Sequence, residues 1–313
     1  MRITFLVFCL ALGAHAEEPL AAVRLGNLKF AHYGAVSYMQ ELGAKHGLRI
    51  EERMFAKGVD IIPGILAGEI DIAASAADAA IAARAAGAPI YVVAGFARGG
   101  ARIVAKEGIK TLQDLRGKKV GVARGGAQEL LLLAELSKAG LTWSDKPGKD
   151  VLLLYLAYAD LNQALAAGSI DAICQSEPQS AQAIARGFGK ELLKPYDTPL
   201  GEPVRALVMT EKLYKERPDV ALRVLQTFVD ATRWFEQHPA EGAKYVREKM
   251  FKGQLSEEEY KDAFSNAQLT TDITVEHVQV TTDLMVKFGV GRMTAPPKAA
   301  DYVKLDLLEK AKK

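Results

Sequence analysis

The hydrophobic and polar positions of this chain follow a pattern that occurs twice. Residues 60–87 and 160–187 each contain an apolar helical run, a glycine, an Ile-Asp strand, a polar loop and a second helix. Five non-alanine residues match at a constant offset of 100 positions: Asp60/Asp160, Gly68/Gly168, Ile70/Ile170, Asp71/Asp171 and Gly87/Gly187. Internal similarity of this kind predicts one structural unit that the chain builds twice.

Each unit predicts a piece of α/β architecture. Gly68 and Gly168 follow an apolar helix, where glycine favours a left-handed C-terminal cap. The strands are predicted at 70–74 and 170–174, and the polar loops at 75–78 and 175–178. Helix, strand, loop and helix in this order are typical of a parallel sheet flanked by helices. Ligands of such sheets bind beyond the carboxyl ends of the strands. Two units therefore predict two lobes that face each other across a cleft.

The rest of the chain shows the same two kinds of pattern. Short runs rich in β-branched residues predict strands at 22–28, 49–55, 89–96, 101–105, 118–123, 151–156 and 204–209. Longer amphipathic runs predict helices at 37–45, 111–117, 129–139, 211–216, 218–237, 240–249, 256–264 and 275–288. We expect the chain to cross between the lobes near 104 and near 204. Lobe 1 then comprises residues 17–104 and 204–313, and lobe 2 comprises residues 105–203.

Composition and charge exclude several classes of protein. The chain is 49% hydrophobic and 25% charged, which is typical of a globular protein. Its formal net charge is +2, so no strong field favours nucleic acid or an acidic membrane. No basic run is interleaved with aromatic residues, and we expect no nucleic-acid partner.

The first 16 residues have the pattern of a signal peptide. Arg2 precedes an apolar run at 3–12, and Ala-His-Ala at 14–16 fits the small-residue cleavage rule. A short buried helix is the alternative. Cleavage would leave one cysteine, Cys174, and hence no internal disulfide. We therefore expect export to the periplasm, with no other stretch long and apolar enough to cross a bilayer.

Three segments carry a family resemblance. They are LAGEIDIA at 66–73, ARAAGAPIYVVAG at 83–95, and the run from Ile109 to Leu141 that includes TLQDLRGKKVGVARGG. With them the chain resembles, from about Val23 to about Phe288, the nitrate/sulfonate/taurine-type solute-binding proteins of ABC importers. That family includes proteins that bind thiamine-pyrimidine precursors.

The resemblance implies a fold, a partner and a mode of action. The implied fold is the two-lobed periplasmic-binding-protein fold of type II, with two parallel-type sheets flanked by helices and a double crossover hinge. The implied function is that of a monomeric receptor without a cofactor, which closes over a small molecule and delivers it to a membrane permease. Two loops depart from the family pattern. Residues 76–79 read Ala-Ala-Asp-Ala, and residues 125–128 read Gly-Gly-Ala-Gln, where many members carry a hydroxyl side chain. The resemblance is not specific for any ligand. We expect a small organic anion of the sulfonate, carboxylate or aromatic-acid type, and a ligand that carries a cationic group is the alternative.

The most suggestive candidate site is the stretch from Arg124 to Gln128. It joins a strand end to a helix start, so free backbone N–H groups and a guanidinium are expected to converge on an anion. Gly125 and Gly126 would let a ligand approach the backbone. The alternative is a simple turn with a solvated arginine.

Two acidic residues head the repeated helices. Asp78 is predicted to cap its helix, to contact the ligand, or to do both. Glu177, which precedes Pro178, is expected to reach either the cleft or the hinge. Arg98, Arg102 and Arg205 lie near the predicted crossings, and ion pairs of the hinge are favoured over ligand contacts for them.

Further candidates come from loops that follow other strands. Phe30, His32, Tyr33 and Gly34 form the first such loop, whose aromatic rings either sandwich a planar ligand or pack in the core. Lys57, Gly58, Ala76 and Tyr158 complete the set of expected ligand contacts.

Catalytic and metal-binding patterns are absent from the sequence. There is no G-x-S-x-G, H-E-x-x-H or P-loop motif, and the histidines lack ligand spacing. We therefore expect a protein that is not an enzyme. Two rival hypotheses stay open: a periplasmic dehydratase or lyase that uses Asp78 or Glu177 as acid and base, and a receptor that signals to a sensor kinase.

Overall fold

A computed structural model of the protein describes residues 19–313, so the predicted signal peptide at 1–16 lies outside the described residues. The described strands are β1 (Ala21–Leu28), β2 (Leu48–Phe55), β3 (Ile72–Ala76), β4 (Ile90–Gly99), β5 (Ala101–Ala105), β6 (Lys118–Val122), β7 (Trp143–Ser144), β8 (Val151–Tyr155), β9 (Ala172–Ser176), β10 (Lys190–Leu193), β11 (Val204–Thr210) and β12 (Ala267–Leu269). The predicted strands were all found, whereas the short strands β7, β10 and β12 were not predicted.

The α-helices are α1 (Gly34–Leu42), α2 (Ile62–Leu66), α3 (Ala77–Ala85), α4 (Ala127–Lys138), α5 (Tyr158–Ala166), α6 (Gln179–Ala185), α7 (Glu211–Glu216), α8 (Pro218–Gln237), α9 (Pro239–Tyr245), α10 (Glu257–Ser265), α11 (Val275–Phe288), α12 (Ala299–Tyr302) and α13 (Asp306–Ala311). Single 3₁₀ turns lie at Ala31–Tyr33, Gly43–His46, Gly58–Ile61 and Leu112–Leu115, and a π-helical turn lies at Val246–Met250. No helix within residues 19–313 is long and apolar enough to cross a membrane.

The strands form two six-stranded sheets of the same design. The first sheet has the order β12-β4-β11-β3-β1-β2, and the second has the order β10-β5-β9-β6-β8-β7. Most strands of each sheet are parallel, but β11 runs antiparallel to β3 and β4, β12 runs antiparallel to β4, and β5 runs antiparallel to β9 and β10. Both sheets are therefore mixed, with parallel strands in the majority, and the expected α/β architecture of two sheets flanked by helices is confirmed.

Two of the antiparallel strands, β5 and β11, are those that the chain forms just after it crosses between the sheets. β4 ends at Gly99, and β5 begins in the second sheet at Ala101. The chain thus enters the second sheet at the carboxyl edge of its parallel strands and must run against them. The same reasoning applies to β11, which returns to the first sheet at Val204. The lobe boundary near 104 stays a prediction. The chain passes from the first sheet to the second at Gly100, between β4 and β5.

The repeated unit is present in both sheets. Gly68 and Gly168 adopt φ values of 70° and 76°, as expected for left-handed helix caps. The strands begin at Ile72 and Ala172, two residues later than predicted. The predicted loop at 75–78 is consequently the end of β3 and the start of α3. Asp71 and Asp171 lie before the strands, where each carboxylate accepts a backbone N–H of a neighbouring strand. Asp71 accepts from the N–H of Arg24, and Asp171 from that of Lys119, both at 2.9 Å.

A buried junction joins the two sheets where the chain crosses. Nε of Arg102, in β5, lies 2.8 Å from Oε1 of Glu177. The amide of Asn266, just before β12, donates to the same oxygen at 3.0 Å and to the carbonyl of Ala101 at 2.9 Å. Tyr196 donates through its hydroxyl to that carbonyl at 2.9 Å. These contacts confirm the expectation of an ion pair for Arg102, and they place Glu177 at the junction; that the junction is a hinge stays a prediction.

Candidate functional site

A small cavity of about 40 Å³ lies between the two sheets, at the carboxyl ends of their parallel strands. The first sheet contributes residues after β1 and β2, the start of α3, and Arg205 of β11. The second sheet contributes the turn between β6 and α4, the first residue of α5, and Ser176 at the end of β9. This is the position that the repeated α/β units predict for a ligand site.

Most of the residues predicted from the sequence surround this cavity. Those that line it are Phe30, Tyr33, Lys57, Gly58, Ala76, Asp78, Arg124, Gly125, Gly126, Gln128 and Tyr158. Gly34 does not line it, because this residue begins α1 and packs against Val246 and Phe235. His32 and Glu177 are also absent from the lining, and both are completely buried.

The cavity also includes residues that sequence reasoning missed. They are Leu28, Val59, Ser75, Ala79, Ala127, Ser176 and Arg205. A charged residue within the apolar run of β11 was a usable signal for Arg205, because a buried charge requires a partner. The sequence instead favoured a hinge ion pair for this residue. That expectation was wrong, since no carboxylate of residues 19–313 lies within 4.0 Å of its guanidinium.

Arg205 is held rigidly beneath the cavity. Its side chain is 2% exposed, Nε donates to Nε2 of His32 at 3.2 Å, and Nη2 donates to the carbonyl of Gly99 at 3.2 Å. Both partners are neutral, so they orient the guanidinium without cancelling its charge. A buried cation that faces a cavity without a carboxylate partner favours a negatively charged or strongly polar ligand group.

Asp78 lies in the first turn of α3 and is 3% exposed. Burial raises the pKa of this carboxyl to about 6, while the charge of Arg205 and the nearby N–H groups of the first turn oppose the rise. The expected capping role was wrong, because the helix begins at Ala77 with Ala76 as its cap and no side-chain cap bond. No cation of the described chain lies within 4.0 Å of the carboxylate.

The glycine turn before α4 differs in detail from the predicted anion site. The guanidinium of Arg124 stacks 3.6 Å above the Tyr155 ring and donates to Asp145 at 2.9 Å. Glu129 accepts from the N–H of Gly125 at 2.5 Å and from the hydroxyl of Tyr155 at 2.7 Å. The charge of Arg124 is thus already partnered, and a carboxylate occupies one of the N–H groups of the turn.

Aromatic side chains from both sheets form the walls. The rings of Phe30 and Tyr33 are 5.5 Å apart, and Phe30 meets Tyr158 of the opposite sheet edge-on at 5.7 Å. The hydroxyl of Tyr158 donates to Oε1 of Gln128 at 2.7 Å. A Cβ added at Gly126 would lie 2.7 Å from that hydroxyl, so glycine leaves room for the tyrosine here. Burial raises the pKa of both tyrosines, which keeps their hydroxyls neutral.

A wider groove of about 640 Å³ adjoins the cavity. Phe30, Lys57, Arg124 and Tyr158 line both spaces. The remaining residues include aromatic and basic side chains, namely Lys29, Phe55, Tyr155 and Phe251. Within residues 19–313 no group of three or more histidine, cysteine or acidic side chains is placed to hold a metal ion. Cys174 is buried, and burial raises the pKa of its thiol.

Comparisons with known proteins agree with this architecture. The model of the NMT1-like family matches residues 16–248. A putative binding protein from Brucella abortus is 33% identical over 153 residues, which cover 46% of this chain and 47% of that protein. A putative aliphatic sulfonates-binding protein from Bacillus subtilis is 26% identical over 210 residues, which cover 66% of this chain and 61% of that protein. The matches thus span about half to three fifths of the length of these relatives.

A solved structure shares the fold over almost the whole chain. The alkanesulfonate-binding protein SsuA from Xanthomonas axonopodis pv. citri, bound to MOPS, superposes with a TM-score of 0.76 at 20% identity. The superposition covers 93% of this chain and 100% of that protein. The expected periplasmic-binding-protein fold is therefore confirmed.

Proposed function

The chain belongs to the NMT1-like family, and from that premise we propose that it is the periplasmic solute-binding receptor of an ABC importer. In this proposal a small organic anion of the sulfonate, carboxylate or aromatic-acid type occupies the cavity between the sheets. The fold shared with an alkanesulfonate-binding protein supports the proposal. The signal peptide predicted at residues 1–16 would bring the receptor to the periplasm, and its partner would be the permease of the importer.

The observation that carries the proposal is the environment of Arg205. A guanidinium that is 2% exposed lines the cavity, and neutral groups orient it. We assign the negative group of the ligand to Arg205, not to Arg124, whose charge is already paired with Asp145. The hydroxyl of Ser75 is buried without a hydrogen-bond partner in the described chain and lines the same cavity, so it offers a further polar contact.

The body of the ligand would lie among the aromatic walls. Phe30 and Tyr33 come from the first sheet and Tyr158 from the second, so a planar ligand would contact both lobes. Contacts made from both sides stabilise the closed form over the open form, and the permease would recognise that closed form. The two crossings, predicted near 104 and 204, would serve as the hinge between lobe 1 (17–104 and 204–313) and lobe 2 (105–203).

A screen by thermal shift tests the proposal. The purified protein is unfolded and refolded to remove bound ligand, then heated with alkyl and aryl sulfonates, taurine, aliphatic and aromatic carboxylates, nitrate and pyrimidines. A ligand at 100 times its Kd adds about 2.7 kcal/mol of stability, which is several degrees of melting temperature. An anion that shifts the melting temperature and is recovered unchanged supports the receptor. A screen in which no anion or zwitterion shifts it contradicts the proposal.

One observation favours a second candidate function. Asp78 is a buried carboxyl in the cavity with its pKa raised to about 6, a property that general acids and bases share. A dehydratase or lyase on this scaffold would consume a compound that binds. Chromatography of each hit after overnight incubation with the protein separates the two functions, because a receptor returns its ligand intact.

A further inference from the structure

We infer that Trp143 and Phe288 form a latch, an aromatic contact between the two lobes that stabilises the closed form of the receptor. The inference rests on the proposed function, because it concerns the closure over a ligand that this function requires. It goes beyond that function by assigning part of the binding affinity to two side chains that line neither the cavity nor the adjoining groove.

The two aromatic side chains come from elements on opposite sides of the cavity. Trp143 lies in β7 of the second sheet, and Phe288 is the last residue of α11, which packs against α3 of the first lobe. Their rings meet edge-on, with centroids 5.9 Å apart and planes inclined by 64°. Both side chains are half-buried. Aromatic pairs in this geometry stabilise a structure beyond the apolar area that they cover. The contact therefore favours the arrangement of the sheets in which it forms.

Helix α11 carries Phe288 away from the point where the chain crosses between the sheets. Near the start of this helix, Nε2 of His277 accepts from the N–H of Val204, where the chain returns to the first sheet. The helix then packs against α3 on one side and against α4 of the second lobe on the other. A helix rises about 1.5 Å per residue, so Phe288 lies about 16 Å beyond His277. Thus α11 extends along the interface from the crossing to Trp143.

The second sheet places Trp143 at a similar distance from the crossing. β7 is the outermost strand of this sheet, where Trp143 pairs with Val151 of β8. The chain enters the sheet at β5, which is four strands away from β7. Neighbouring strands are about 4.8 Å apart, so the separation is about 19 Å. A rotation of the lobes about the crossings moves a contact in proportion to its distance from them. Opening therefore separates Trp143 from Phe288.

Contacts between the lobes near the crossing are of a different kind. Nη1 of Arg102, in β5, lies 2.8 Å from Oδ2 of Asp262 in α10. Nε of Arg186, just after α6, lies 3.1 Å from Oε1 of Glu259 in the same helix. Helix α10 leads directly to Asn266 at the junction. These ion pairs lie where a rotation changes distances least, so they join the lobes without distinguishing strongly between the open and closed forms.

The latch and the ligand site depend on the same closure. Phe30 and Tyr158 face each other across the cavity, with ring centroids 5.7 Å apart, in the arrangement that also brings Trp143 to Phe288. A contact made only in the closed form raises the population of that form and hence the apparent affinity for a ligand bound in it. Loss of the latch should therefore raise the dissociation rate of the ligand. The association rate should change little, because the ligand enters the open form.

A double-mutant cycle on binding, measured by isothermal titration calorimetry, tests the latch. The probe is whichever of ethanesulfonate, taurine, benzoate and nitrate raises the melting temperature most. We expect Trp143→Ala and Phe288→Ala each to weaken binding about threefold to tenfold. The double variant should bind as weakly as either single variant, because each substitution removes the same contact. Stopped-flow measurements should assign the loss to a faster dissociation rate.

The chain supplies a matched control in its other tryptophan. Trp234 is also half-buried, but it stacks on Tyr38 at 4.1 Å, and both residues belong to the first lobe. We expect Trp234→Ala to change binding by less than about twofold, because this contact is the same in the open and closed forms. Trp143→Phe keeps an aromatic ring opposite Phe288 and should restore most of the affinity lost in Trp143→Ala. If Trp143→Ala does not fold, Phe288→Ala replaces it in every comparison.

The outcomes separate the latch from the function on which it rests. Folded Phe288→Ala that binds the probe as tightly as wild type overturns the latch and leaves the receptor in place. Losses that multiply in the double variant also overturn it, because the two residues would then act independently. If none of the four probes binds, small-angle X-ray scattering of the ligand-free proteins decides. The radius of gyration of Phe288→Ala should then exceed that of wild type, and equal radii overturn the latch. The receptor proposal itself fails only if the wider screen finds no anion or zwitterion that stabilises the protein.

Discussion

Nε of Arg205 lies 3.2 Å from Nε2 of His32, and both side chains are almost completely buried. Because the guanidinium can only donate, the imidazole accepts through Nε2 and carries its proton on Nδ1. His32 lies outside the cavity, but it orients the charge that faces the ligand in our proposal. A residue selected from the sequence as a ligand contact is in this way better described as a positioning residue.

His32 should make the fold sensitive to acid. Burial and the charge of Arg205 lower the pKa of His32 well below its ordinary value of 6.5. Below that value the unfolded chain binds a proton that the folded chain does not, so stability falls as the pH drops, by up to about 1.4 kcal/mol per pH unit. We expect His32→Gln to lose less stability than wild type between about pH 6.5 and 5. Melting temperatures across this range measure the difference, and parallel curves for the two proteins would contradict it.

Asp78 should act on stability in the opposite direction. Its pKa rises from 3.8 to about 6 on folding, so the folded chain holds a proton that the unfolded chain has released between these values. The destabilisation caused by burying the charged carboxylate is absent below about pH 4 and complete above about pH 6. We expect Asp78→Asn to be more stable than wild type near pH 7, by as much as about 3 kcal/mol. Urea unfolding at about pH 4 and pH 7 measures the difference in stability between the variant and wild type. A stability gain of equal size at both pH values would refute the burial argument.

Asp71 and Asp171 should each stabilise one copy of the repeated unit. Each carboxylate accepts a backbone N–H of a neighbouring strand at 2.9 Å, and Asp71 also accepts from the guanidinium of Arg24 at 2.8 and 2.7 Å. We expect Asp171→Ala to lower the free energy of unfolding by about 1 to 2 kcal/mol, because the N–H of Lys119 loses its acceptor. Asp71→Ala should lower it by at least as much. The control is Asp160→Ala, which alters an exposed position of the same unit. Equal urea midpoints for Asp171→Ala and the control would contradict this role.

Gly126 should be required for the position of Tyr158. A methyl group at residue 126 would lie 2.7 Å from the tyrosine hydroxyl, which donates to Gln128. We expect Gly126→Ala to weaken binding of a ligand found in the screen by about tenfold, with little loss of stability, since the φ of −116° at this position suits alanine. Tyr158→Phe removes the clashing oxygen, so the double variant should bind better than Gly126→Ala alone. If calorimetry shows that the effects of the two substitutions on binding free energy simply add in the double variant, the clash does not cause the loss of binding.

Much of the architecture was predictable, because the spacing of apolar residues and the internal repeat both follow from which side chains are buried in the core. The five matched positions identified two units, and their strand-end loops became the walls of the cavity. The strands after Asp71 and Asp171 were placed two residues too early, because the Ile-Asp pairs have the apolar pattern of strand residues. The structure instead places Ile70 and Ile170 in buried positions before the strands.

The roles of charged residues were less predictable than their location. Arg124 was expected to bind an anion, yet Tyr155 and Asp145, which are distant from it in sequence, engage its side chain. Arg205 was expected to form a hinge pair, yet the acids that reach the junction surround Arg102. Partners of this kind are set by packing between segments far apart in the chain. A strand pattern records only that an arginine is buried, not which carboxylate lies beside it.

The central claim is that Arg205 provides the positive charge for the ligand, and calorimetry with one bound anion or zwitterion from the screen tests it most directly. Wild type is compared with Arg205→Gln and with Arg98→Gln, which removes an exposed charge near the same crossing. We predict that Arg205→Gln, with its fold verified by circular dichroism, weakens binding about 30-fold or more, and that Arg98→Gln changes it less than about twofold. Binding by folded Arg205→Gln that equals wild type would contradict the claim.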